Sequence, residues 1–267
     1  MNAVIVPLDG SVEAELALPH ACQIAGEAPV LLLTSTWHGE PAAPRCYLEQ
    51  RAMSLIGATA ETRVVLDERP ADAVADALAA NPGAIVCMAT HGRNTLGQAL
   101  LGSTAEELLR TTHEPVLLVG PQAAFDPLRA ASSTAILAVD GRDTARALTP
   151  AAAAFARRHR LNLWTVQVDA PAPYPFVSDA HTASQPRQGP GLDAAIDAFA
   201  KEGVTTETEL LFATDPADAI IHFAQKVKAS YVIVGNHARG GLARIALGNT
   251  AMRVVHRAPC PVLVVRQ

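Results

Sequence analysis

The chain has 267 residues, of which 49% are hydrophobic and 18% charged, with a formal net charge of −5. That composition requires a buried core and excludes a disordered chain. The acidic balance, with no basic patch, argues against a nucleic-acid partner held by phosphate neutralisation, and no apolar run approaches the roughly 20 residues of a membrane span.

Met1-Asn2-Ala3-Val4 enters a strand pattern at once, without a basic n-region or a signal h-region, so a cytoplasmic location is expected. Val4–Leu8 is a continuous apolar run, the pattern of a strand buried on both faces. Ser11–Ala25 carries Leu16, Leu18, Ala21, Ile24 and Ala25 at helical spacing. Pro29–Thr36 predicts a strand, Leu48–Ala60 a helix, Thr62–Leu66 a strand and Pro70–Ala80 a short helix stopped by Asn81-Pro82-Gly83. Ala84–Met88 is the fourth strand. A small-residue loop, Ala89–Ser103, leads into a helix from Ser103 to Thr112 and a last strand, Val116–Val119. Ser103-Thr104-Ala105-Glu106 reads as a capping box, a structural use of Ser103 that needs no ligand.

The second half repeats the first. Its elements are Thr134–Val139, Ala145–His159, Leu161–Val168, Leu192–Lys201, Thr206–Leu210, Ala217–Lys228, Tyr231–Val234, Thr250–Arg257 and Val262–Arg266. Asp9-Gly10 recurs as Asp140-Gly141, 131 positions on; Pro70, Gly102 and Pro115-Val116 recur as Pro216, Gly248 and Pro261-Val262, 146 positions on. The 15 extra residues are placed between the second strand and Pro216, with the Pro-, Gly-, Ser- and Gln-rich stretch 170–191 as their host. This is a duplicated domain, not a solenoid. The limits read 1–122 and 134–267, joined by a linker at 123–133.

Alternating strands and helices predict an α/β fold: two tandem doubly wound domains, each a five-stranded parallel sheet in the order 3-2-1-4-5 with helices on both faces. In such sheets ligands bind beyond the strand C-termini, where the winding reverses. Asp9 and Asp140 end strand one; the small-residue loops follow strand four. A carboxylate beside bare amides at a helix start suits a ribose and its phosphates. Asp before Gly also caps the following helix in many turns, with Ser11 available here.

The two loops read Ala89-Thr90-His91-Gly92, nine residues, Gly102-Ser103, and Gly235-Asn236-His237-Ala238, nine residues, Gly248-Asn249. Together with the Asp-Gly strand ends and the Pro-Val-Leu-x-Val last strand, they resemble the universal stress protein family. Its nucleotide-binding members carry G-x2-G-x9-G-[S/T] after strand four and an Asp at the end of strand one. The resemblance implies that Asp9 and Asp140 sit near the ribose or a phosphate-bound metal. It implies that Ala89, His91, Gly92, Gly102, Ser103 and Thr104 line one nucleotide, and Gly235, Gly248, Asn249 and Thr250 another. Backbone near Ser35–Thr36 and Val166–Gln167 would contact adenine. Ala89 and Ala238 each replace a motif glycine, and Asn249 replaces Ser or Thr. Ala238 stands in the turn itself, where a Cβ costs more than at a strand end, so the first copy ranks as the better site.

The implied function is a tandem universal stress protein binding an adenine nucleotide, ATP with Mg2+, as a stress-response sensor or regulator rather than a fast enzyme. A non-binding scaffold acting through protein contacts and a slow ATP hydrolase are the alternatives. No catalytic residue and no protein-held metal site is assigned, and P-loop, nucleophile-elbow and zinc-protease motifs are missing from the sequence. His91 and His237 read as packing or hydrogen-bonding loop residues; Arg93 and Arg239 read equally as phosphate donors or solvated arginines. His20, His113, His159 and His256, on or near helix ends, read as surface or dipole-complementing residues. The four cysteines form no CxxC pair; Cys22 and Cys87 read as small core residues and Cys260 as a packed thiol. Val116–Val119 and Val262–Val265 would be exposed apolar sheet edges, a hazard that pairing with each other removes. The family dimerises this way, so the resemblance implies a covalent dimer; it is also compatible with a homodimer of chains.

Overall fold

Apolar β-branched and leucine runs supply the strands, and the way they pair sets the architecture. The computed structural model describes residues 3–37, 41–90, 101–169, 189–236 and 247–266. The first half runs β1 (Val4–Pro7), α1 (Val12–Glu15), α2 (Ala17–Ala25), β2 (Val30–Thr36), α3 (Ala42–Ser54), β3 (Ala60–Leu66), α4 (Pro70–Ala80), β4 (Ile85–Ala89), α5 (Ser103–Thr111) and β5 (Val116–Val119). A single helical turn, α6 (Pro127–Ala130), follows. The second half runs β6 (Thr134–Val139), α7 (Arg142–His159), β7 (Asn162–Asp169), α8 (Pro190–Lys201), β8 (Thr206–Phe212), α9 (Pro216–Lys226), β9 (Tyr231–Asn236), α10 (Asn249–Arg257) and β10 (Val262–Arg266).

The strands join in one sheet, in the order β3-β2-β1-β4-β5-β10-β9-β6-β7-β8. Neighbours are parallel within each half. At the junction β5 and β10 run antiparallel, with Leu117 opposite Leu263. One apolar core fills the side covered by α4, α5, α9 and α10. The other fills the side of α1, α2, α3, α7 and α8. Both cores draw residues from the two halves.

Three local expectations change. The helix read over Ser11–Ala25 divides at Leu16 into α1 and α2. Pro19 has no N–H to give Glu15, and Leu16 closes a tight turn on Glu13 O at 3.2 Å instead. The helix read over Leu48–Ala60 is α3, shifted to Ala42–Ser54; Leu55 is extended and Gly57 turns left-handed at φ +77°. Third, the 15 extra residues do not all follow the second strand. Ile5 pairs with Leu31, 26 positions on, whereas Ile136 pairs with Trp164, 28 positions on. Two extra residues therefore lie before β7, within the longer α7 segment. Most of the 170–191 stretch lies outside the described residues, and Pro190-Gly191 already belong to α8.

The segment between β5 and β6 is tied to both halves. His20 Nε2 lies 2.9 Å from Ala123 O, and Gln23 donates to Ala130 O. Arg129 donates to Ala229 O at 3.2 Å, and Ser132 to Lys228 O. Among the helix-end histidines, His113 is exposed as read, but His20 and His256 are buried. Their helices pack flat on the sheet, which puts those ends inside. The Cys87 and Cys260 thiols are buried as read, and burial raises both, that of Cys260 to about 12.

His159, in the last turn of α7, lies against Phe155 with ring centroids 4.5 Å apart. Burial, then the Arg158 charge, lowers it to about 4. A histidine depressed on folding binds fewer protons folded than unfolded, so stability is lost as pH falls from its ordinary value of 6.5 toward about 4. His20 is lowered in the same direction. Urea midpoints at about pH 7.5 and about pH 5 should show this loss, and His159→Leu should shrink it. Equal pH dependence in wild type and variant would refute the assignment to His159.

Candidate functional site: the crevice of the second half

β6 lies between β7 and β9, so the winding of the second half reverses at its C-terminal end. A cavity of about 270 Å³ opens there. Asp140, Gly235, Gly248, Asn249 and Thr250, the site residues read for this half, all line it. Val166, Val168 and Val234 form its sheet wall, and Pro216 and Ile220 on α9 face it. Along β7 the side chains alternate: Val166 and Val168 face the cavity, whereas Gln167 turns to the other face and accepts from Gly191 N at 2.8 Å.

The polar part sits where α10 begins. Gly248 is its N-cap, without a side-chain cap bond. The first helical bond runs from Met252 N to Gly248 O at 2.8 Å. The amides of Asn249, Thr250 and Ala251 precede it in the helix, and all three residues line the cavity. Neighbouring α9 is closed differently: Asp215 accepts from Ala217 N and Asp218 N. At Gly248 φ is −56°, and a Cβ would meet nothing within 4 Å. Neither a turn nor packing demands glycine there; the space beside it is the crevice. Asp140 accepts from the Thr144 hydroxyl, also in the wall, and is the one ionisable side chain among the described lining residues. Arg253 holds α10 to α9 by bonding Asp215 and Asp218, and that bond holds the Asp215 carboxyl below its usual range.

In the first half the corresponding ends belong to β1 and β4. Asp9 Oδ1 accepts from Ser11 N at 2.9 Å and from the Ser11 hydroxyl. Ser11 in turn caps α1, its Oγ accepting from Ala14 N. The cap of α1 is therefore Ser11, the other candidate of this Asp-Gly turn, and Asp9 bonds the capping residue rather than the helix amides. The capping box at Ser103 is not formed. Gly102 takes the N-cap position, extended at φ −60° and ψ 148°, and Ser103 is the first residue of α5. The Gly102 amide bonds Thr90 O at 2.8 Å, and its carbonyl accepts the first helical bond, from Glu106 N at 3.0 Å. Ser103 is exposed and Thr104 half-buried at that helix start; Ala89 ends β4 without a left-handed φ. His91, Gly92, Arg93, His237, Ala238 and Arg239 lie outside the described residues.

Sequence reasoning missed Thr144, Val168, Pro216 and Ile220 as lining residues. Pro216 had a signal, its recurrence 146 positions after Pro70, which marks the repeat and the insertion but not a site.

A model of the universal stress protein family matches residues 36–120 and again 133–266. This chain belongs to the universal stress protein family. A universal stress protein of Mycolicibacterium smegmatis is 27% identical over 98% of this chain and 96% of its own length. The structure of a universal stress protein from Archaeoglobus fulgidus DSM 4304 has a TM-score of 0.70 at 18% identity, covering 99% of this chain and 98% of that one. A shorter universal stress protein of Archaeoglobus fulgidus, 24% identical over 49% of this chain and 95% of its own at a TM-score of 0.36, was solved in complex with dAMP. Among the described residues, no helix of this family member is long and apolar enough to cross a membrane.

Proposed function

We propose that this universal stress protein binds an adenine nucleotide, ATP, and works as a stress-response sensor or regulator rather than as a fast enzyme. The observation that carries this reading is the convergence of Asp140 and the uncapped start of α10 on one cavity with an apolar wall. The wall would take the purine, Asp140 the ribose hydroxyls, and the amides of Asn249–Ala251 the phosphates. Gly248 leaves room for phosphate beside the backbone. Among the described residues no cluster of three His, Cys, Asp or Glu side chains is placed to hold a metal. Mg2+ would therefore arrive on the phosphates, with Asp140 the carboxylate nearest to it. The reading keeps the domain limits 1–122 and 134–267 and a cytoplasmic setting.

The test is to purify the protein without added nucleotide, identify any ligand it carries, and then titrate ATP against thermal stability. At 100 times Kd, ATP should add about 2.7 kcal/mol. No copurified nucleotide and no shift at millimolar ATP would leave the non-binding scaffold as the better account.

A further inference from the structure

The two crevices have diverged, and the described residues show how. We infer that the chain binds one nucleotide, in the second half, and that the first half has turned its crevice into part of its own packing. This rests on the nucleotide reading above and reverses the order read from the loops alone. Paired strands give the correspondence: Pro7 answers Ala138, Leu33 answers Val166, Met88 answers Val234 and Ala89 answers Gly235. At each of these wall positions the first half carries the larger side chain. Ser35 answers Val168, and its hydroxyl donates to Glu68 O, tying the end of β2 to the segment before α4. In the second half that same pair of elements, β7 and α9, borders the cavity.

The carboxylates have also parted. Asp9 is engaged by the amide and hydroxyl of Ser11, the residue that caps α1. Asp140 is followed by Arg142 rather than Ser, and α7 starts at Gly141 without a side-chain cap. The turns differ in backbone as well: Gly10 is left-handed at φ +82°, whereas Gly141 is extended at φ 170°. Asp140 instead takes the hydroxyl of Thr144, a cavity residue, where the first half has Glu13. Ser11 caps its helix without a ligand and Asp9 holds that serine, while Asp140 and Thr144 both line the cavity.

Calorimetric titration with ATP, with native mass spectrometry for stoichiometry, tests the inference on three variants. Wild type should bind one ATP per chain. Gly248→Val should weaken binding about 10-fold or more, because its side chain enters the crevice. Gly102→Val should bind as wild type does; its Cβ would lie 3.4 Å from Thr90 O, an ordinary contact. The double variant Val234→Met, Gly235→Ala installs the first half's wall in the second and should also lose binding. Thermal melts without nucleotide check that each variant is folded, and the double variant serves should Gly248→Val fail to fold. Two ATP per chain, or loss confined to Gly102→Val, would overturn the inference and leave the nucleotide reading standing. A wild type that binds no ATP would overturn both.

Discussion

Replacing Gly120 by alanine should cost the chain about 3 kcal/mol or more. A Cβ at Gly120 would lie 1.9 Å from Val255 O and 3.1 Å from its carbonyl carbon. Both are backbone atoms, so no side chain can swing away. Gly120 follows β5 and Val255 lies in the last turns of α10, so the clash falls on the junction between halves. That junction has little freedom. Asn236 in β9 donates to Leu109 O of α5 at 2.8 Å, and Arg266 in β10 reaches Thr112 O at 3.3 Å. Moving α10 off Gly120 would disturb β10 and these bonds together. A loss of that size lowers the melting temperature of a chain this long by roughly 6–12 °C. Gly141→Ala is the control, since its Cβ would meet nothing within 4 Å and its φ suits any residue; it should stay within about 0.5 kcal/mol. If Gly120→Ala melts with the control, the backbone contact does not hold the halves together.

Gly120 also marks what the sequence could not disclose. Standing before Pro121, it reads as an ordinary turn residue, and its constraint comes from a carbonyl 135 positions away. Duplication made the rest unusually legible. Recurring landmarks located the strands, and hydrophobic runs told buried strands from amphipathic helices. The family motif assigned Asp140, Gly235, Gly248, Asn249 and Thr250 to one site, and the cavity gathers all five. Register was less accessible. Two residues were absorbed inside the α7 segment, where a helix can lengthen without breaking its pattern, and only strand pairing reveals them.

The duplication hid a further difference, because corresponding positions were assumed to do corresponding work. Arg69 bonds Asp72 and Glu107, with the base before α4 and the acid on α5. In the second half the pair is inverted: Asp215 stands before α9 and Arg253 on α10. The same joint is made with opposite polarity. Asp9 and Asp140 repeat the lesson at the site, since identical residues at identical strand ends accept from a capping serine in one half and from a cavity threonine in the other. Composition and spacing cannot separate those two roles; the neighbours at positions 11 and 142, Ser against Arg, were the available signal.

Phe199→Ala should be the most destabilising truncation in the second half. Phe199 is a large, fully buried side chain of α8, in the core on the side of α7 and α8. Removing it loses the transfer free energy of the ring and leaves a cavity that close-packed neighbours only partly fill, about 3–5 kcal/mol. Ile196, on the same helix, is 44% exposed, and its truncation should stay within about 0.5 kcal/mol. Urea denaturation of both variants reads the difference, and a Phe199→Ala midpoint near that of the Ile196 variant would refute the placement of α8. The crevice wall of Val166, Val234 and Ile220 belongs to the core on the opposite side of the sheet. Distant, unshared sites act additively. Saturating ATP should therefore stabilise Phe199→Ala and wild type by the same increment. An increment that vanished in the variant would mean that α8, through Gln167 and the Gly191 amide it bonds, is part of what holds the nucleotide crevice open.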